Sequence, residues 1–166
     1  MGLFGTKKSN KVTSEQVVGM ISEYYHRRGL DIKGHGVAGC EGYGWWITEG
    51  SAKIYIFVQE DRIGTVIRVN SPVVNYPEKN KEAFFLHLLE TNRDLSGCSL
   101  SAFDGVIMVS GQRPIIGLDQ DELNSLIWSV SYVADTLDDQ LHEQFGAQIY
   151  KEPDKGPEKE AEAHPA

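Results

Sequence analysis

The sequence predicts an α+β fold, an antiparallel sheet of about five to six strands packed with three helices. Three observations carry that reading. Amphipathic helical patterns open and close the ordered part of the chain. Between them lie runs of aromatic and β-branched residues on connections too short for a crossover, so neighbouring strands must run antiparallel. A third helical pattern interrupts the strands instead of alternating with them, which gives the order α-β-β-β(-β)-α-β-β-α.

Thr13 to Arg28 reads as the first helix. Thr13 can cap it with Gln16 at capping-box distance, and Val17, Met20, Ile21, Tyr24 and Tyr25 recur at helical spacing before Gly29. Leu30 to Gly44 is dense in glycine, a poor helix former, and reads as a short strand followed by turns. Trp45–Thr48, Lys53–Glu60 and Thr65–Asn70 are strands, joined at Gly50-Ser51 and by a hairpin over Glu60–Gly64. Pro77 is expected to open a second helix over about Glu78–Asn92, with Glu78 at the positive end of its dipole. Cys98–Phe103 and Val106–Ser110 flank Asp104-Gly105, a strong hairpin signal. The last helix starts at the Asp119 cap with Glu122 completing the box, and runs to about Gln144 before Gly146. Leu123, Leu126, Ile127, Val130, Ala134, Leu137 and Leu141 form its apolar stripe.

At 166 residues one core is expected. The expected boundaries are a disordered leader at 1–12, a domain at 13–146 and a disordered acidic tail at 147–166, which lacks large apolar residues from Lys151 onward. Lys and Arg number 16 against 24 Asp and Glu, a formal net charge of -8. That balance argues against nucleic acid or anionic membrane as the main partner, because phosphate recognition needs clustered positive charge. Cys40 and Cys98 make no disulfide framework and read as reduced core-type residues. The longest apolar run, Ile54–Val58, suits a strand and not a membrane span. The start has no apolar signal region, so a cytoplasmic protein is expected. Met1–Thr6 does fit the loose N-myristoylation pattern, with Lys7 and Lys8 behind it; a plain leader is the simpler reading.

Motifs for chemistry are few. Gly34-His35-Gly36-Val37-Ala38-Gly39 matches G-x-G-x-x-G, but a strand-like continuation through Trp45-Trp46 replaces the helix that would hold a pyrophosphate. No cofactor is expected. His26, His35, His87, His142 and His164 have no metal-site spacing, so no metal is expected. Ser96-Gly97-Cys98-Ser99 places a thiol among small residues without an evident base, and no catalytic residue is assigned. Asp135, Asp138 and Asp139 read as a solvated helix face.

Apolar surface in excess of the sheet's needs is more informative. Phe84, Phe85, Leu86, Leu88 and Leu89 point almost all round the second helix, so a second subunit is expected to cover Phe85, Leu86 and Leu89. The competing reading covers Phe85 and Leu89 with the Leu30–Gly44 segment. On the last helix, Trp128 and Tyr132 lie about 140–180° from Leu123, on the side of Asp121, Asp135 and Asp139. An aromatic pair on an acidic face suits a partner surface; packing of Ile149-Tyr150 over it, or two isolated surface aromatics, are the alternatives.

The element order, the Phe84–Asn92 run leading to a hairpin, Ile115-Ile116-Gly117-Leu118 and the long Leu126–Phe145 helix together resemble the YbjN-like family over about Thr13 to Gly146. That family is described as a bacterial sensory-transduction regulator and is similar in fold to type III secretion chaperones. The resemblance implies a twisted antiparallel sheet with helices on one side, usually dimeric, that holds an extended partner segment and supplies no catalytic residues. The expected function is a non-catalytic protein-binding module, chaperone-like or regulatory, acting on a partner polypeptide as a homodimer. The alternative is a small-ligand sensor with its site under Gly34–Gly44, against Trp45 or Trp46.

Overall fold

The computed structural model describes residues 12–62 and 64–152. Apart from Val12, the expected leader lies outside the described residues, and so does the expected tail from 153 onward.

Helix α1 spans Ser14–His26, and its capping box forms as the sequence requires: Thr13 N–H donates to Gln16 Oε1 at 2.9 Å while Gln16 N–H donates to Thr13 Oγ1 at 3.4 Å. Its buried face is Val17, Ile21, Tyr24 and Tyr25. The Tyr25 hydroxyl donates to the Trp46 carbonyl at 2.8 Å, tying the helix to the first strand.

The strands are β1 (Tyr43–Glu49), β2 (Ala52–Asp61), β3 (Gly64–Asn75), β4 (Ser99–Phe103) and β5 (Val106–Pro114). They form one five-stranded antiparallel sheet in the order β1-β2-β3-β5-β4. The optional sixth strand is a correction: Leu30–Gly44 contains a single 3-10 turn, Ile32–His35, and only Gly36 bridges to Trp45. Asp104 and Gly105 both take left-handed φ, 47° and 81°, the geometry a two-residue hairpin needs between twisted strands.

Two strands outrun their expected ends. β3 continues past Asn70 through Pro72, where the register to β5 shifts between Pro72 and Val74. A bulge lets a residue without an N–H sit inside a strand. β5 continues to Pro114, opposite Val66, again at a strand end where no donor is required. Helix α2 starts later than expected, at Lys81, and ends at Asp94. Asn80 is left-handed (φ 56°), which bars any helical turn before it, and Pro77 is buried in the approach.

Helix α3 spans Gln120–Phe145 and lies across β2, β3 and β5. Asp119 and Glu122 cap it reciprocally at 2.8 and 3.1 Å. Every residue of its expected stripe is buried. The alternate residues Trp45, Ile47, Ile54, Ile56, Ile67, Val69, Val109 and Leu100 bring one face of the sheet into the same core. Burying each such side chain stabilises the fold by about 1.5–3 kcal/mol against exposure, so this face alone fixes which side of the sheet the helices take.

The expected tail boundary at 147 is also corrected. Ala147 is fully buried, and residues 148–150 lie along the end of β3, with Asn75 N–H donating to the Gln148 carbonyl at 2.8 Å and Tyr150 N–H to the Val73 carbonyl at 2.9 Å. Val73–Asn75 extends beyond the last β2–β3 pair, Tyr55 with Asn70, and offers backbone groups that β2 does not meet. Composition does not reveal that vacancy, because it is created by strand lengths set elsewhere.

Candidate functional site

Trp128 and Tyr132 stand out from α3 as expected, 63% and 58% exposed, with rings stacked at 5.2 Å and 13°. The one-turn spacing puts the second ring over the first. Ile149 and Tyr150 lie at β3 instead of on this pair. Asp121, Asp135 and Asp139 are exposed on α3, but the reading of Asp138 as solvated is corrected. Asp138 is buried, and Asp135 is tied to the β1–β2 turn: Ser51 N–H donates to Asp135 Oδ1 at 2.6 Å. Ser51 Oγ lies 2.8 Å from that oxygen and 2.9 Å from Asp138 Oδ2. One hydroxyl proton serves one carboxylate at a time. The Ser51 backbone N–H first, and its hydroxyl second, hold the Asp135 carboxyl below its ordinary range. Gly50 makes the approach possible, since it is left-handed (φ 60°) and a Cβ on it would fall within the Asp135 carboxylate.

Within one chain α2 is two-faced. Phe84 and Leu88 enter the core. Leu86 and Leu89 are 56% and 69% exposed. Phe85 is half-buried between Tyr76, at 5.3 Å and 83°, and Phe84. Its cover is Tyr76, not the Leu30–Gly44 segment. Between α2 and β4 lies an apolar trough of about 170 Å³ formed by Phe85, Leu88, Leu89, Leu100, Ala102 and Ile107. β4 is the edge of the sheet, and the Asn92 carboxamide meets it: Leu100 N–H donates to Asn92 Oδ1 at 2.6 Å, and Asn92 Nδ2 donates to the Leu100 carbonyl at 3.1 Å. One side chain so fills the place of a neighbouring strand at that residue.

The sheet face opposite the helices was not anticipated as a site. At the β1–β2 end it is aromatic. Lys53 Nζ lies 4.7 Å from the Trp46 ring centroid and 5.6 Å from that of Tyr55, and the Tyr55 and Phe57 rings stack at 6.5 Å. The Tyr55 hydroxyl donates to Glu152 at 3.0 Å, and burial pushes its titration well above the usual tyrosine range. Towards β5 and β4 the face becomes a concavity of about 910 Å³ lined by Arg68, Asn70, Ser99, Ser101, Met108 and Phe103 among others. Arg68 Nε donates to Gln112 Oε1 at 2.9 Å across the strands. The alternation that buries Ile67 and Val69 also turns Arg68 and Asn70 outward, and this was the signal available in the sequence.

The Gly34–Gly44 segment carries no helix for a phosphate. Val37 N–H donates to the Gly44 carbonyl at 2.9 Å, and a Cβ at Gly44 would lie 2.7 Å from Cys40 Sγ, so glycine there lets the segment close on β1. Trp45 is buried and stacked on Tyr43, while Trp46 is flanked by His35 at 4.8 Å. Cys98 points at the Ser129 carbonyl, and burial pushes its thiol up, away from the thiolate a nucleophile needs. Among the described residues no group of three or more His, Cys, Asp or Glu is placed to hold a metal ion. No described helix is long and apolar enough to cross a membrane.

A helix-backed sheet with one open face, an edge strand beside an apolar trough and exposed aromatics on its longest helix has the form of a scaffold that meets other polypeptides through its surface. Residues 41–153 match the TY-Chap1 family model, described as T3SS (YopN, CesT) and YbjN peptide-binding chaperone 1, and the chain belongs to that family. No curated protein matches the sequence. Among solved structures the fold is similar to a chain in the crystal structure of the ExsC-ExsE complex, with a TM-score of 0.60 and 13% identity over 77% of this chain and 95% of that one. The chaperone-like fold and the YbjN-like resemblance both stand.

Proposed function

We propose that this protein is a non-catalytic, cytoplasmic peptide-binding module, chaperone-like or regulatory, that works as a homodimer. The observation that carries the reading is the exposed apolar side of α2 beside the β4 trough. Leu86 and Leu89 are two large aliphatic side chains in water on a helix whose other side is fully used by the core. A two-fold partner helix laid on the same side would remove them from solvent in both copies. Phe85, Leu86 and Leu89 are the interface residues of this reading. Trp128 and Tyr132 are its partner-binding residues, because large stacked rings kept in water beside carboxylates suit a basic or amphipathic polypeptide. Membership of a peptide-binding chaperone family supports the same assignment.

The test is oligomeric state by light scattering across a concentration series. Wild type is expected to weigh two chains. Leu86→Glu with Leu89→Glu should be monomeric and still folded, since both positions are exposed in the single chain and surface changes cost about 0.5 kcal/mol or less. A wild type that stays at one chain up to high concentration sinks the dimer.

A further inference from the structure

The geometry points to a strand-accepting slot at the end of β3 that this chain fills with its own residues 148–152 and from which an extended partner peptide can displace them. The inference goes beyond the proposed function, since it concerns neither α2 nor the Trp128–Tyr132 pair.

The slot exists because β2 and β3 part company. Their ladder ends at Tyr55 with Asn70, while β2 runs back to Ala52 alongside β1 and β3 runs on to Asn75 beside β5. The Val73 carbonyl and the Asn75 N–H are left facing the gap, and each needs a partner. Residues 148–150 supply both, with a bridge between Val74 and Ile149. An added strand joined by main-chain hydrogen bonds is the general way a sheet captures an extended peptide.

Three features mark the strap as exchangeable. Between residues 148 and 150 it is held by two main-chain hydrogen bonds, with Ile149 37% exposed and Gln148 in water. It is incompletely packed, because a cavity of about 80 Å³ remains under it between Ala52, Val73, Asp138 and Tyr150. It also has a defined pivot. Ala147 is fully buried and its carbonyl meets His142 Nδ1 at 2.8 Å, so release can begin at Gln148 without disturbing α3. Further along, Glu152 pairs with Lys53 and accepts from the Tyr55 hydroxyl. The occupant in trans is therefore a peptide of the same pattern: a small residue, then after one residue an apolar and an aromatic residue, then after one more a carboxylate that reaches Lys53. Breaking the Glu152 contact would also free the Lys53 and Tyr55 groups on the open sheet face.

The probe is a fluorophore-labelled peptide with the sequence of residues 147–152, followed by anisotropy against the full chain. A tethered segment competes at an effective concentration near millimolar, so wild type should bind the probe weakly. Tyr150→Pro removes the N–H that donates to Val73 and leaves the slot untouched; it should bind the probe about tenfold tighter or more. Glu152→Gln, which spares the backbone, should shift affinity the same way by a smaller factor. The same peptide with proline in place of its tyrosine should not bind. Equal binding by wild type and both variants overturns the inference. Hydrogen exchange on the wild type gives an answer that does not depend on any variant folding. The Asn75 and Tyr150 amides should exchange at least about tenfold faster than those joining β2 to β3. Exchange of both at the rate of that ladder would show a fixed part of the sheet and overturn the slot.

Discussion

A single glycine determines how the β1–β2 turn meets α3. Gly50 is left-handed and its missing Cβ is the space that the Asp135 carboxylate occupies. Gly50→Ala should lower stability by about 1–3 kcal/mol, the usual range for a strained non-glycine backbone, read as a shift in the urea midpoint. Gly34→Ala is the control, because a Cβ there meets nothing within 4 Å; it should stay within about 0.5 kcal/mol. The Asp135 contact also sets a pH dependence. Its carboxyl titrates below its ordinary value in the folded chain, so the contact stabilises the fold at pH above the unfolded value of about 4 and the gain is lost as pH falls through the folded value. The melting-temperature gap between wild type and Asp135→Asn should therefore be full at neutral pH and close progressively below about pH 4. A gap that does not change with acid would remove the charge from the explanation. Gly50-Ser51 is legible as a turn in the sequence. Its carboxylate partner 84 residues away is not, since nothing local marks which helix face passes the turn.

Among the elements, α3 was the most legible and α2 the least. A stripe of seven apolar residues and a reciprocal cap fix the phase of α3, and that phase leaves Trp128 and Tyr132 outside. Trp128→Ala with Tyr132→Ala should change folding stability by about 0.5 kcal/mol or less and weaken binding of the proposed partner by more than about 1 kcal/mol. A large loss of stability would show that the pair holds the fold itself. In α2 five large apolar residues sit too close together to show which two face the core, and the choice falls to Phe84 and Leu88 through contacts with Phe145 and β4. The late start of α2 at Lys81 was hidden for a different reason. Proline suits a first helical turn, and only the left-handed backbone at Asn80 reveals that this one precedes the helix.

For the whole molecule, sheet order and layer follow from short connections and alternation, both of which are local and visible in sequence. The open sheet face and the slot at the end of β3 are not, since they arise from differences in strand length across the sheet. If the chain is a homodimer, its stability depends on its own concentration. The apparent melting temperature of wild type should rise with protein concentration, because association favours the folded form by mass action. That of Leu86→Glu with Leu89→Glu should not move. Identical slopes for the two would contradict association through α2.

The Asn92 carboxamide against Leu100 has a meaning for storage and crowding. An unguarded sheet edge can template the next copy of a chain and so seed a fibre. By mimicking a neighbour at Leu100, one carboxamide interrupts the row of free donors and acceptors on β4. Asn92→Ala should leave the fold assembled but shorten the lag before thioflavin-positive aggregates form under agitation. If the proposed peptide-binding role holds, the residue's service is colloidal: it keeps an edge strand from pairing with the next copy.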